Sequence, residues 1–569
     1  MHWHPILLVV LIPLSVAFVA NYTTKPKGIN PTLYSEDDRF YSDWCGHCRA
    51  FAPLYKQLAK DVNAWGTVVR VAAMNCADAV NQATCRANGV AYFPYMKYFP
   101  RNSSDPKGGS LLRAFRTLAE MRDQLTKHVM DDYSVNRFED WPNFDFLKDM
   151  TTFSELWEEI KGPAEHIAVV FENHPSSLTG AQLLMDLLPF EDRLNSRRAL
   201  KNHPLVEALH LTDFPSLVIF KKGNKVPVVQ ADVRVRRRNS LFNRLRRLLF
   251  NEVEQFLVAE KEHTEETNAI QFSSRKNASE ECIREPEKCK ERYYVSEVDI
   301  LKAVRYALLR EAGRTGAPLT GANLTALHNF ISALHDYLPT MTVKNGEEIP
   351  LMRSASAVSV FARMRDWLAD RGATANESEI VLPISIDEYQ KEFLEAEEAA
   401  GNPFPITVEW EHCKGSTRQL RGYSCGLWTT FHTLSVGAYK QNDNNTTQSS
   451  PLPLLTAIQG WVEHFFGCLH CRDHFMRMTT KTFPMEVEAK NADDVFLYLW
   501  KAHNIVNARL KGRDTEDPMF LKYQFPAKFL CHNCSNADVS SVKPFLLEYY
   551  TDIKPYTGQV EKANGNKRR

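Results

Sequence analysis

The pairing of its cysteines constrains this chain more than any other feature of the sequence. The 569 residues include twelve cysteines. Three pairs have Cys-x-x-Cys spacing and three are slightly wider: Cys45/Cys48, Cys468/Cys471 and Cys531/Cys534, then Cys76/Cys85, Cys282/Cys289 and Cys413/Cys425. A disulfide that closes so small a loop restricts the unfolded chain little, so it stabilises the fold little. Several such pairs therefore indicate thiol chemistry, in which electrons move between dithiols.

The N-terminus predicts where that chemistry takes place. An apolar run over residues 6–12 and small residues up to Ala20 are typical of a secretory signal peptide, here 1–20. An uncleaved anchor is the weaker alternative, because the run is short of about 20 apolar residues. Glycosylation sequons support a lumenal chain: Asn21, Asn102, Asn277, Asn323, Asn376, Asn444 and Asn533. We expect a secretory-pathway lumen, Golgi or extracellular, where cysteines can pair.

Composition narrows the class of protein. A formal net charge of zero gives a general nucleic-acid role no support. No second long apolar segment follows, so we expect no stable membrane insertion. The length predicts about three to five domains. Composition shifts suggest a signal peptide and five regions: 1–20, then 21–132 and 133–263 (α/β), 264–395 (linker and helical spacer), 396–545 (helical) and 546–569 (polar tail).

The first region carries the string Trp-Cys-Gly-His-Cys at 44–48, followed by a helical pattern. A thiol at a helix N-terminus has its thiolate stabilised by the helix dipole, and His47 favours the thiolate further. Zinc binding is the alternative for a lone Cys-x-x-Cys. The segment resembles a protein disulfide isomerase-type thioredoxin domain, with Pro94 matching the cis-proline of that family. The stretch before Trp44 contains little apolar sequence, so we expect the central strand to be cut short.

The second and third regions lack this motif. Residues 166–171 read as a strand, and Phe214-Pro215 with its following strand repeats the pattern at Phe93-Pro94. We therefore expect a second, redox-inactive thioredoxin-like domain. A basic stretch from 234 to 247 with interleaved leucines favours an amphipathic helix over a processing site or polyanion patch. From about 290 to 390 the apolar residues recur at helical spacing.

The last region combines the remaining cysteines with rings and amides at helical spacing. Trp428 and His432 lie one turn apart, and Trp500 to Asn507 forms a stripe with His503 and Asn504 between them. Aromatic rings beside donors and acceptors suit a nucleotide-like cofactor. Zinc is the competitor, but Cys471 and Cys531 are 60 positions apart, far beyond zinc-ribbon spacing. We predict no metal site.

With these motifs in place, the chain resembles the quiescin sulfhydryl oxidases from Leu33 to Cys534. The resemblance implies a multidomain fold: two thioredoxin-like α/β domains, the first apparently truncated, an all-α spacer and an all-α Erv-like FAD-binding helical bundle. Phe525 stands where the family usually has Trp. The FAD contacts implied by the family motif are Arg421, Trp428, His432, His470, His474, Trp500, Lys501, Ala502, His503, Asn504, Ile505, Val506, Asn507, Lys522 and Phe525.

The resemblance also implies a relay of thiol–disulfide exchange. A reduced secretory protein thiol attacks Cys45 of the first pair, whose electrons pass to Cys468 and Cys471, then to FAD and O2, giving H2O2. The other pairs are expected to be structural: Cys76/Cys85, Cys282/Cys289, Cys413/Cys425 and Cys531/Cys534. For Cys531/Cys534 the alternative is a role as an auxiliary electron shuttle.

Two alternatives of other classes remain. A disulfide isomerase without flavin would need only Cys45 and Cys48, and the ring-and-amide pattern argues against it. A secreted FAD-binding protein inactive on proteins is the second, motivated by the short first domain. It would still oxidise small dithiols slowly. We favour a monomer, with the spacer covering the surface through which single-domain relatives dimerise.

Overall fold

The computed structural model describes most of the chain in two compact units. The described residues are 17–20, 42, 44–103, 105, 108–113, 116–148, 153–158, 160, 163–232, 281–344, 346–374, 382–418, 420–443, 450–513, 515–534 and 538–557. The first unit comprises Met1–Phe40, Phe51–Asn75 and Tyr95–His263, and the second comprises Tyr41–Ala50, Cys76–Pro94 and Thr264–Arg569. The basic stretch at 234–247, the final residues of the tail and all of the predicted signal peptide except 17–20 lie outside the described residues.

The first unit contains two four-stranded sheets. One sheet has the order β2-β1-β3-β4 and the other β6-β5-β7-β8. The strands are β1 (Ala17–Ala20), β2 (Arg70–Val71), β3 (Met96–Phe99), β4 (Ser110–Leu112), β5 (His166–Glu172), β6 (Leu194–Leu200), β7 (Ser216–Lys221) and β8 (Val229–Asp232). The helices are α1 (Gly46–Asp61), which continues from the second unit into the first, α3 (Leu118–Val135), α4 (Thr179–Asp186) and α5 (Pro204–Ala208). Alternate residues of β5 and β7, among them Ile167, Val169 and Phe220, form the core beneath the second sheet.

The second strand in the order of each sheet, β1 in the first and β5 in the second, runs in a different direction relative to its neighbours. In the second sheet β5 runs parallel to β6 and antiparallel to β7. In the first sheet β1 is antiparallel to β2 and parallel to β3, so it runs in the opposite direction. Residues 17–20, which were predicted to belong to the signal peptide, take the second position in the first sheet. Residues 21–41 lie outside the described residues, so the shortened central strand before Trp44 stays a prediction. The facing edges of β2 and β3 require hydrogen-bond partners, and β1 supplies them. The two predicted Phe-Pro repeats both contain cis peptide bonds, Phe93-Pro94 and Phe214-Pro215.

The second unit is mainly helical. Its helices are α2 (Gln82–Ala87), α6 (Pro286–Lys290), α7 (Glu297–Arg305), α8 (Gly321–Tyr337), α9 (Met352–Asp370), α10 (Ile386–Ala399), α11 (Gly422–Asp443), α12 (Leu452–Phe465), α13 (Leu469–Arg477), α14 (Met485–Glu488), α15 (Asp494–Leu510) and α16 (Val539–Tyr549). Wider π-helical turns follow α7 at Tyr306–Glu311 and α13 at Met478–Thr482. Short strands are β9 (Val295–Ser296), β10 (Met341–Lys344), β11 (Glu347–Pro350) and β12 (Ile553–Lys554).

Apolar periodicity explains how these helices pack. The positions predicted to line one helical face are fully buried: Val298, Leu301, Val304, Ala307 and Leu308. That face packs against α11, while α8 packs against α9 and α12, and α11 against α15. Ser296 begins α7 by accepting a hydrogen bond from the Asp299 backbone N–H, a standard N-cap. The bundle places the N-termini of α11 and α13 and one face of α15 around the candidate site.

Candidate functional site

The first redox motif lies at the beginning of α1. Cys45 precedes the helix and Cys48 falls in its first turn. Both residues are free cysteines and are buried. The Cys48 thiol donates a hydrogen bond to Cys45 Sγ at 2.7 Å. Burial, followed by the contact with Cys45, raises the pKa of the Cys48 thiol well above its ordinary value. This pair is therefore a dithiol whose inner member is held protonated.

The second redox motif has the same position relative to its own helix. Cys468 is the N-cap of α13, and a disulfide joins it to Cys471 across a Cα–Cα distance of 5.3 Å. Cys468 is completely buried. Both motifs thus put a pair of sulfur atoms at a helix N-terminus, one reduced and one oxidised. A dithiol and a disulfide can exchange two electrons with each other without changing the total number of disulfides.

The two motifs are in direct contact within the second unit. The imidazole rings of His47 and His470, each the third residue of its motif, stack at 4.2 Å with an interplanar angle of 16°. The Trp44 ring stacks on Phe466 at 5.2 Å. Phe93, beside the cis-proline, forms a parallel bridge with Cys468: its N–H donates to Gly467 O at 2.8 Å, and its carbonyl accepts from Leu469 N at 3.3 Å. The cis-proline loop therefore pairs with the backbone that carries the second disulfide.

A buried ion pair holds these loops together. Arg314 donates to the carbonyl oxygens of Val90 and Ala91 in the cis-proline loop and to Phe465 O at 3.1 Å. Glu311 accepts from Gly467 N at 2.6 Å and lies 3.5 Å from the Arg314 guanidinium. Burial raises the pKa of Glu311 from 4.5 to about 7, although Arg314 opposes the shift. We call these two side chains the Glu311/Arg314 clamp. Sequence reasoning missed it, although a Glu and an Arg three residues apart at the end of an apolar helix were a signal.

A cluster of rings lies between α11 and α15. The Trp428 and His503 rings are nearly parallel, 4.1 Å apart with an interplanar angle of 9°. His432 Nε2 and His503 Nδ1 lie 2.9 Å apart, at hydrogen-bond distance, and Tyr550 stacks on His432 at 4.8 Å. Burial lowers the pKa of His432 to about 3 and that of His503 well below its ordinary value. Both imidazoles are therefore neutral, and one can donate to the other.

Cations adjoin this ring cluster. Arg421 donates to His412 O at 2.7 Å, and its Nε is buried without a hydrogen-bond partner among the described residues. Burial, and then repulsion by Arg421, lowers the pKa of Lys522 to about 8. Lys522 in turn lowers the pKa of His503. Asn507 is buried, and none of the hydrogen bonds among the described residues uses its side-chain amide. Two mutually repelling cations beside a wall of rings suit an anion attached to a planar group, and the diphosphate and ring systems of FAD match this.

Several of the predicted FAD contacts make hydrogen bonds or ring contacts with other parts of the protein. Trp500 Nε1 and Asn504 Nδ2 both donate to Phe525 O, at 2.5 and 2.8 Å, and Asn504 Oδ1 accepts from Phe525 N at 2.7 Å. These groups therefore hold the Phe525 backbone. His470 lies against His47, and also 4.3 Å from His474. For four residues of the stripe the FAD contact stays a prediction: Lys501, Ala502, Ile505 and Val506.

The remaining cysteine pairs are all joined as disulfides: Cys76–Cys85, Cys282–Cys289, Cys413–Cys425 and Cys531–Cys534. Asp299 accepts hydrogen bonds from the backbone N–H groups of Glu411 and Cys413, which fixes the loop before α11. Within the described part of the chain, no group of three or more potential ligand residues could hold a metal ion. No helix in that part is long and apolar enough to cross a membrane.

Comparison with known proteins gives matches to two families and to several named relatives. Residues 39–123 match the thioredoxin family and residues 425–526 match the Erv1 / Alr family. Sulfhydryl oxidase 1 of Gallus gallus is 31% identical over 90% of this chain and 64% of its own length. Sulfhydryl oxidase 1 of Cavia porcellus is 30% identical over 90% of this chain and 77% of its own length. A solved sulfhydryl oxidase fragment of human QSOX1 is 29% identical, with a TM-score of 0.38, and covers 47% of this chain and 99% of that one.

The family matches confirm the predicted combination of a thioredoxin domain with an Erv-like helical domain. The chain spans 64% of the length of the chicken relative, which is less than two thirds. With 30% identity to the guinea-pig protein over 77% of that protein's length, the chain belongs to the sulfhydryl oxidase family.

Proposed function

We propose that this chain is a FAD-linked sulfhydryl oxidase that introduces disulfides into secreted proteins and passes the electrons to O2, giving H2O2. The observation that carries the proposal is the direct contact between a dithiol at Cys45/Cys48 and a disulfide at Cys468–Cys471, through stacked histidines and a paired backbone. The flavin link of the Erv1 / Alr family supports the cofactor. The names of the relatives support thiols and O2 as substrates.

The relay balances in two exchange steps. A substrate dithiol first reduces the Cys45–Cys48 disulfide and leaves as a disulfide. In the docked arrangement Cys45 loses its proton and its thiolate attacks Cys468 Sγ. The Cys468–Cys471 bond breaks, a Cys45–Cys468 mixed disulfide forms, and Cys471 leaves as a thiolate that takes up a proton. Cys48 loses its proton and attacks Cys45 Sγ, which releases Cys468. Two electrons and two protons have then moved from the first motif to the second. The raised pKa of Cys48 keeps it protonated until this last attack.

The cofactor pocket is assigned to residues already described. Trp428, His432 and His503 would enclose a planar ring system, and Arg421 and Lys522 would bind the diphosphate. The other proposed FAD contacts are His470, His474 and the stripe at 500–507, which includes Asn507. Within this stripe Trp500 and Asn504 would act by positioning the Phe525 backbone, to which they are hydrogen-bonded. Bound in this pocket, FAD would supply a two-electron acceptor for the Cys468/Cys471 dithiol and a donor to O2.

Residence in the lumen of the secretory pathway, Golgi or extracellular, follows from the predicted signal peptide and fits the family. The domain boundaries at 132, 263, 395 and 545, the monomeric state and the structural role of Cys531–Cys534 belong to the same proposal.

Oxygen uptake tests the proposed activity. The purified chain should show a flavin absorption spectrum and consume O2 when given a reduced, unfolded protein. Cys45→Ala and Cys468→Ala should each abolish that uptake. Flavin without protein-driven uptake would favour the FAD-binding protein inactive on proteins. Absence of flavin would favour the flavin-free thiol exchanger.

A further inference from the structure

A second cavity, whose lining does not include the ring cluster, is lined in part by Trp44. Its volume is about 310 Å³. Five cationic side chains line it, together with five aromatic rings, and no carboxylate is among its described lining residues: Lys302, Arg305, Arg310, Arg418 and Arg421, with Trp44, Tyr306, Phe404, Trp410 and Tyr423. Trp428, His432 and His503 are absent from this lining. Arg421 belongs to both sites, and the other cations belong only to this cavity.

Some of the cationic side chains that line this cavity have a counter-ion or hydrogen-bond partners, and Arg310 has neither among the described residues. Arg305 is neutralised by Glu397 through hydrogen bonds of 2.6 and 2.9 Å. Lys302 donates to backbone carbonyls, including Pro405 O at 3.3 Å, and lies 5.4 Å from the centre of the Trp410 ring. Arg310 is half-buried, and no ion pair or hydrogen bond within the described chain uses its guanidinium. The cavity therefore contains a net positive charge, to which the half-buried Arg310 contributes without a counter-ion among the described residues.

The surroundings of Arg310 add to that charge. Burial lowers the pKa of its guanidinium, and the neighbouring Arg305 and Arg86 lower it further. Arg86 is itself occupied by Gln390 at 2.9 Å and Asp387 at 3.6 Å. A half-buried guanidinium among other cations is costly unless an anion joins it. Guanidinium groups bind phosphate with paired hydrogen bonds, and tryptophan and tyrosine rings pack against planar organic groups.

We infer that this cavity binds a small organic phosphate of about nucleoside-monophosphate size, with the phosphate at Arg310 and the planar group against the aromatic wall. Pockets for small ligands begin at about 300 Å³, so the volume suffices for one such molecule. Two wall residues, Trp44 and Ala77, belong to the segments that carry the first redox motif and its neighbouring loop, and the others lie between 302 and 423. The ligand would therefore contact both sides of the motif-to-motif contact.

This location gives the ligand a role that rests on the proposed function. Since the cavity is complete only while the segment with Trp44 lies against Tyr306 and Tyr423, a bound phosphate favours the docked arrangement over an undocked one. The Trp44 indole donates to Tyr306 OH at 3.0 Å, so the wall is continuous with the redox motif. Occupancy should then raise the rate at which protein thiols drive oxygen uptake.

Calorimetric titration of the full chain saturated with FAD tests the site, with adenosine monophosphate as the probe. We expect one molecule bound per chain, and at least about tenfold weaker binding in Arg310→Gln, because one charge-assisted phosphate contact is lost. Arg418→Gln changes an exposed lining residue and should weaken binding without disturbing the fold. Arg284→Gln removes an exposed arginine outside the cavity and serves as the matched control, with no change expected.

Several results would overturn the inference. They are absence of binding, equal affinity in wild type and Arg310→Gln, or inorganic phosphate binding as tightly as the nucleotide. Binding is read without catalysis, so a chain that binds the nucleotide but oxidises no thiols would contradict the proposed function and leave the site standing. A chain that oxidises thiols at the same rate with and without bound nucleotide would refute the stabilisation of docking.

Discussion

Arg314→Met tests whether the Glu311/Arg314 clamp holds the two redox motifs together. The substitution removes the hydrogen bonds to the cis-proline loop and to Phe465 O. At pH 8, above the pKa of Glu311 in the wild type, it also leaves this carboxylate, whose side chain is 1% exposed, buried without its counter-ion. Breaking a buried ion pair by removing one partner costs about 3–5 kcal/mol. Since about 1.4 kcal/mol is a factor of ten, even the lower value reduces the ratio of docked to undocked chains by about a hundredfold.

The assay compares two reductants of the same enzyme. Oxygen uptake driven by a reduced protein requires transfer from Cys45/Cys48 to Cys468/Cys471, so it should fall with the docked fraction, by up to about a hundredfold. Uptake driven by dithiothreitol, which is small enough to reduce the second disulfide directly, should fall far less. Flavin content and the midpoint of thermal unfolding, measured on the same preparations, separate loss of docking from loss of fold.

A double variant provides the matched control. Glu311→Gln combined with Arg314→Met leaves no uncompensated charge, while the Gln amide can still accept from Gly467 N. Neutral replacement of a whole buried pair is often close to neutral in stability, so we expect protein-driven uptake to recover most of the loss. The reasoning would be refuted if Arg314→Met consumed O2 with the reduced protein as fast as the wild type does. It would also be refuted if uptake fell equally with both reductants.

Three further predictions concern the stacked histidines, the cofactor pocket and the buried carboxyl. His470→Ala removes the stack on His47, worth about 0.5–1.5 kcal/mol, and should slow protein-driven uptake about three- to tenfold when rates are expressed per bound flavin; an unchanged protein-driven rate per flavin would contradict a role of the stack in transfer between the motifs. Asn507→Ala should weaken FAD binding about tenfold through one lost hydrogen bond, measured by flavin retained on dialysis, and full retention would contradict its assignment. The raised pKa of Glu311 means that the folded state favours the protonated carboxyl. The stability that this proton contributes is therefore complete below pH 4.5 and is lost as the pH rises through about 7. The midpoint of thermal unfolding should decline less steeply across this window in Glu311→Gln than in the wild type, and identical slopes would contradict the raised pKa of Glu311.

Local spacing in the sequence was enough to find the parts of the site that lie within single helices. Cys45 and Cys48, Trp428 and His432, and the stripe around His503 each follow the helical repeat, so their neighbours could be inferred without the fold. The family resemblance supplied the order of the domains. The buried positions of α7 were likewise predicted from apolar periodicity.

Contacts between distant segments could not be inferred this way. Arg314 meets Ala91 across 223 positions, and no periodic pattern links residues so far apart. His470 was assigned to the cofactor by its place in a motif, whereas its contact with His47 depends on the packing of two helix N-termini. The strand at Ala17–Ala20 was predicted only as part of a signal peptide, since an apolar run does not specify what it pairs with.

Trapping of the mixed disulfide tests the central claim, that electrons pass directly between the two motifs. In the double variant Cys48→Ser with Cys471→Ser, Cys45 and Cys468 remain as the two exchanging sulfurs. Mild oxidation with diamide followed by peptide mass spectrometry should find a Cys45–Cys468 disulfide within one chain, and Arg314→Met in this background should reduce its yield strongly. Failure to form that disulfide, with both thiols free and the fold intact, would contradict the account.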